Sequence, residues 1–140
     1  MAEKNQERVG KEIALDFMFT LDTNILIYYA SGDKPITKFL LENLEKGVKM
    51  FLPTIAVAEF LSYPALTLKD RQLFSLLLDQ LSLSELDFRI AVSAADLRRR
   101  YKMKLGDSVI AATAVSTNST IVTRNLRDFR KIPYLKVLAL

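Results

Sequence analysis

Strand-length apolar runs alternate with helix-period segments along this chain, and capping residues or prolines mark the joins. Phe17-Met18-Phe19-Thr20-Leu21 reads as a buried strand, and it stops at Asp22-Thr23-Asn24, a cluster of helix N-cap residues ahead of the apolar Ile25 to Tyr29. Ser31-Gly32-Asp33 closes that helix. Pro35 opens the next, where Ile36, Phe39, Leu40 and Leu44 keep helical spacing and Gly47 ends it. Val48 to Leu52 is a second strand, stopped by Pro53, and Thr54 can cap a helix that ends before Pro64. Residues 68–81 predict a helix with Leu73, Leu76, Leu77 and Gln80 along one side, and Leu83 to Leu86 a short strand. Residues 89–103 predict a helix with one apolar stripe, Ile90, Ala94, Leu97 and Tyr101. Gly106-Asp107 starts a helix rich in small residues, Thr120 to Thr123 is a fourth strand and Leu135 to Leu138 a fifth.

Strands that take turns with helices predict a mostly parallel sheet of four to five strands covered on both faces, a three-layer α/β/α sandwich. With 140 residues the chain has the size of one compact domain, expected over 17–140 behind a polar leader at 1–16. The leader mixes both charge signs and has no apolar core for a secretory signal. No apolar run approaches the roughly 20 residues of a membrane span, so a cytoplasmic protein with no membrane contact is expected.

The absences narrow the chemistry. The sequence has no cysteine and no histidine, which excludes thiol nucleophiles, disulfides and Ser-His-Asp triads and makes a zinc site improbable. Four scattered glycines form neither a phosphate-binding loop nor a dinucleotide fingerprint. Carboxylates, hydroxyls, Lys, Arg and Tyr must do any catalysis, and any metal must favour oxygen. Charge is divided unevenly: residues 1–97 carry 10 Lys/Arg against 14 Asp/Glu, whereas residues 98–140 carry 10 against 2. That basic third points to a polyanionic partner or forms a solvated face.

Asp107 and Asp128 are the two acids inside the basic third. In an open α/β sheet, ligands bind beyond the carboxyl ends of the strands. Asp22 ends the first strand there, and Thr123, Arg124 and Asn125 end the fourth, with Asp128 one turn further on. Adjacent first and fourth strands would bring these groups together. Asp22 and Asp107 each have an ordinary reading as helix caps, the commoner role for either alone. Glu59, within Ile55-Ala56-Val57-Ala58-Glu59-Phe60-Leu61, has apolar neighbours, and burying it unpaired costs on the order of several kcal/mol, so it calls for a cation or a proton. Asp128 has Arg127 and Arg130 beside it for a surface ion pair. Three or four carboxylates that converge repel one another unless a hard ion such as Mg²⁺ or Mn²⁺ lies between them. Arg98, Arg99, Arg100, Lys102, Lys104 and Arg124 could hold phosphates without reading sequence.

Four segments in order, Leu21 to Tyr29, Thr54 to Pro64, Leu105 to Ala114 and Ile121 to Phe129, resemble the PIN domain, and most nearly the VapC-type ribonuclease toxins of prokaryotic toxin–antitoxin pairs. The resemblance covers about Phe17 to Leu138. It implies a Mg²⁺- or Mn²⁺-dependent endoribonuclease with acids at Asp22, Glu59 and Asp107. Asp128 is the candidate fourth acid, because Asn125 occupies the alternative position with an amide. The resemblance further implies supporting roles for Thr23, Asn24, Thr123 and Asn125, an RNA substrate, a homodimer and a small inhibiting antitoxin. Two other readings stay open: an inactive RNA-binding or scaffold module on the same fold, and a phosphatase acting on another ester.

Overall fold

A computed structural model describes residues 17–140; the leader at 1–16 lies outside the described residues. The elements run β1 (Met18–Leu21), α1 (Thr23–Ala30), α2 (Lys34–Glu45), β2 (Lys49–Pro53), α3 (Thr54–Leu61), α4 (Leu68–Leu78), β3 (Ser82–Ser84), α5 (Phe88–Tyr101), α6 (Leu105–Thr117), β4 (Thr120–Thr123), α7 (Leu126–Phe129) and β5 (Val137–Ala139). All five strands are parallel, in the order β3-β2-β1-β4-β5. The alternation of strands and helices therefore produces the expected three-layer α/β/α sandwich.

The two faces follow from the two-residue period of a strand. Phe19, Leu21 and Val122 point to one side, where they pack with residues of α1 to α4 such as Ile25, Leu40, Phe60 and Leu77. Ile121 points to the other, with Leu97, Ile110 and Phe129 of α5 to α7. The Phe60 and Phe74 rings lie 4.9 Å apart, and Phe19 meets Phe39 edge-on at 5.2 Å. Each side chain buried this fully contributes about 1.5–3 kcal/mol. Thr20 also points to the second face, where its hydroxyl bonds Ser119 at 2.6 Å and so satisfies a polar group inside the core.

Several boundaries shift for physical reasons. β3 starts and ends earlier than Leu83 to Leu86, because only Ser82–Ser84 pair with β2; the chain then leaves the sheet and the Leu86 N–H donates to Thr54 Oγ1 at 3.3 Å. Thr54 thus begins α3 instead of capping it. The buried side of α4 is Phe74 and Leu77, not the row through Leu76 and Gln80, and Leu76 is 66% exposed. The stripe of α5 holds, with Ile90, Ala94 and Leu97 buried and Asp87 capping the helix through the Ile90 N–H at 2.8 Å. β5 pairs with β4 over Val137–Ala139, two residues later at its start than expected. Among the described residues no helix is long and apolar enough to cross a membrane.

Candidate functional site

Chain direction reverses across the sheet between β1 and β4: from β1 the path goes outward to β2 and β3, then returns to β4 on the other side. Such a switch leaves a crevice beyond the carboxyl ends of the two central strands. Asp22 follows β1 directly into that crevice. It stands at the N-cap of α1 but caps nothing; its Oδ2 instead accepts a 2.8 Å bond from the Thr123 hydroxyl at the end of β4. The Asn125 N–H donates to the same Thr123 oxygen at 2.8 Å, so that hydroxyl is fixed on both sides.

The other acids arrive on separate elements. Glu59 comes from the last turn of α3, and its Oε1 accepts from the Thr23 hydroxyl at 3.1 Å. Asp107 sits in the first turn of α6, inside the helix and not capping it. Asp128 lies on α7, where its Oδ2 accepts from Asn125 Nδ2 at 2.9 Å and its Oδ1 is 3.6 Å from Lys131 Nζ. Gly106 makes room for the group: a Cβ there would lie 2.8 Å from Glu59 Oε1 and 3.0 Å from Oε2.

Electrostatics tie the four together. Asp22 is only 3% exposed, and burial pushes its carboxyl up to about 6, with the charges of Asp107 and Glu59 adding to the rise and the Thr123 hydroxyl and Thr23 backbone opposing it. Asp107 is also raised, first by burial, then by Asp128 and Glu59, against the pull of Lys104 and Lys131. Asp128 is held below the ordinary range, first by its bond from Asn125 and then by Lys131. Among the described residues no Lys or Arg nitrogen lies within 4.0 Å of Asp22, Glu59 or Asp107. Nor do three of the acids there close on one point as a bare ligand cage. The arrangement is an all-oxygen donor set spread around a crevice, with Lys131 on Asp128 at its edge and no Lys or Arg against the other three acids.

Three expectations are corrected. Glu59 is exposed and not buried among its apolar neighbours, because Ala56 and Phe60 take the inward side of α3. Asp128 pairs with Lys131 in place of Arg127 or Arg130, three residues on and so on the same side of the turn. Arg124 is not available for phosphate: its guanidinium forks onto Asp33 at 2.7 and 3.0 Å, its Nε donates to the Leu140 carbonyl at 2.8 Å, and it lies 4.4 Å above the Tyr28 ring. Of the other basic candidates, Arg99 and Arg100 share Asp96, while Arg98 and Lys102 line a groove beside α5. Asn24 is exposed on the first turn of α1. Sequence reasoning missed Lys131 and the steric role of Gly106; the first was signalled by its spacing from Asp128, the second by nothing local.

The profile of one family, the PIN domain, matches residues 19–134. Ribonuclease VapC2 of Rickettsia felis is 28% identical over 127 residues, 84% of this chain and 94% of that protein. The crystal structure of VapBC2 from Rickettsia felis, bound to a DNA fragment from its promoter, superposes with a TM-score of 0.76 at 22% identity, over 89% of this chain and 99% of that one. A toxin–antitoxin complex from Klebsiella pneumoniae gives 0.70 at 29% identity, over 85% and 94%. Fold, order of the acids and family match agree: the chain belongs to the PIN domain family.

Proposed function

We propose that this protein is a VapC-type toxin, an endoribonuclease of the cytoplasm that hydrolyses RNA phosphodiester bonds with a Mg²⁺ or Mn²⁺ ion. In this reading it works as a homodimer and is restrained by a small antitoxin. The relative named as a ribonuclease and the neighbours solved as toxin–antitoxin complexes support the reading. The observation that carries it is the state of Asp22: a buried carboxylate, held only by the Thr123 hydroxyl and the Thr23 backbone N–H, facing other acids with no Lys or Arg against it.

The donor set fits a hard divalent ion that retains some of its water, because the ligands are all oxygen and too spread for a bare ion. Asp22 and Asp107 would hold it, with Asp128 reaching it through water or serving a second ion. Such an ion would supply Lewis acidity, lowering the pKa of water it binds and offsetting charge that grows on the phosphate. Thr123 keeps Asp22 aimed into the crevice. Glu59, with Oε1 fixed by Thr23, keeps Oε2 as an acceptor that orients water toward the phosphorus. Lys104 and Lys131 draw the phosphate in against the acids.

Incubation with single-stranded RNA should give cleavage with Mg²⁺ or Mn²⁺ and none with chelator. Asp22→Asn and Asp107→Asn should each lower cleavage by at least about a hundredfold while the circular dichroism spectrum stays native. Cleavage that persists in chelator would overturn the ion. RNA binding without cleavage would favour the scaffold reading, and turnover of phosphate monoesters alone would favour the phosphatase.

A further inference from the structure

One concavity has no part in the site described above. A groove of about 620 Å³ runs between α5 and the start of α6, floored by the buried Ala94, Met103 and Val109. Cations stand on its rim. Arg99 among them is neutralised by Asp96 at 2.9 Å, but among the described residues Arg98 and Lys102 have no acid within salt-bridge distance. An apolar floor beneath unpaired positive charge suits a ligand that lays an apolar face on the floor and an anionic group on the rim, as a nucleotide can with the face of its base and its phosphate. Arg guanidinium planes also stack on bases.

The groove connects to the acids through one residue. Lys104 lies in the bend between α5 and α6, and its charge acts on both Asp107 and Asp128. Leu105 lines the groove and Asp107 belongs to the site; two residues apart on α6, they point about 200° from one another around the helix. The groove therefore opens on the opposite side of the first turn of α6, about one helix diameter, or 10 Å, away from the acids. Lys104, between α5 and α6, thus stands between the groove and the acids.

Resting on the ribonuclease reading, we propose that this groove holds an unpaired base of the RNA substrate, neighbouring the nucleotide that is cut, with its phosphate on Arg98 and Lys102. The base must be unpaired, because a duplex turns its bases inward and offers mainly shape and backbone. The groove thereby directs the enzyme to single-stranded segments.

The test uses the full chain in chelator, so that nothing is cut, and measures the dissociation constant of a labelled single-stranded RNA and of a duplex across a salt series. Ala95, on the groove wall and exposed, accepts Leu without touching the core. Ala95→Leu should weaken single-strand binding about tenfold, within the range one base contact is worth, with duplex binding and salt slope unchanged. The double variant Arg98→Ala/Lys102→Ala should weaken it by a similar factor and lower the salt slope by roughly 0.7, the value for the one phosphate they share. Ala95→Leu binding within about twofold of wild type, or an equal loss on duplex, would overturn the assignment, as would a change in solution mass at unchanged RNA affinity, which would mean that a second copy fills the groove. If wild type cuts RNA while Ala95→Leu binds as tightly, the groove assignment falls alone. If wild type neither binds nor cuts RNA, the ribonuclease reading falls with it.

Discussion

Thr123 and Arg124, consecutive at the end of β4, each grip an aspartate that sits at a helix N-cap, and they leave the two in opposite conditions. Arg124 gives Asp33 a fork of two charged bonds, and Asp33 also caps α2 through the Ile36 N–H at 3.1 Å. Its carboxyl is held below the ordinary range, first by that Arg124 bond. Thr123 gives Asp22 one neutral hydroxyl and Thr23 a backbone N–H, its side chain makes no cap bond to α1, and burial drives its carboxyl up to about 6. Asp33 serves the fold, tying the end of α1 to β4. Asp22 has hydrogen-bond donors but no cation against it, and that unmet demand is what the proposed ion would meet.

The contrast breaks most readily through pH. An acid raised in the folded state favours folding fully below its unfolded pKa of 3.8 and loses that contribution as the pH rises to about 6. For Asp22 the shift corresponds to about 3 kcal/mol. Urea unfolding in chelator should show Asp22→Asn level with wild type near the low end of that window and more stable by about this amount above it. A gap that stays flat with pH would mean that Asp22 is at ease.

Crowding rather than charge is the next lever. Gly106→Ala places a methyl against the Glu59 carboxylate, the free end of a flexible side chain, so the fold should keep or gain stability, up to about 1 kcal/mol from helix propensity. RNA cleavage, measured as kcat/KM, should nonetheless fall roughly tenfold as Glu59 is displaced. Equal loss of stability and activity would place the glycine in the scaffold instead.

The smallest effect belongs to the satisfied aspartate. Arg124→Met should lower the melting temperature modestly, and less so in high salt. Asp33 is depressed, so its contribution is present above its unfolded pKa of 3.8 and lost as the pH falls below it. The deficit of Arg124→Met should close in acid, the reverse of the Asp22 trend. A deficit independent of pH and salt would assign the residue's role to its stacking on Tyr28.

The layers and the succession of apolar runs along the chain were legible because they are local: period, cap and proline act within a few residues, whereas the candidate acids followed from the resemblance of four segments to one family. What one chain could not display was angle and distance. Glu59 looks buried from its neighbours, yet the i,i+4 pair Ala56 and Phe60 decides which way α3 faces. Leu76 is as apolar as Leu77 and still lies outside. Arg124 reads as one more basic residue until Asp33, 91 positions earlier, comes to meet it. The adjacency of β1 and β4, on which the crevice depends, stood as a condition that only the sheet order could fulfil.

Asp22 and Thr123 touch across 101 intervening steps of the chain. A contact of such long range is among the last to repay its loop-closure entropy during folding. A chain that stops before β4 carries Asp22, Glu59 and Asp107, and β1 to β3 beside them, but not the Thr123 hydroxyl that fixes Asp22. The crevice therefore takes its final geometry only once β4 has joined the sheet.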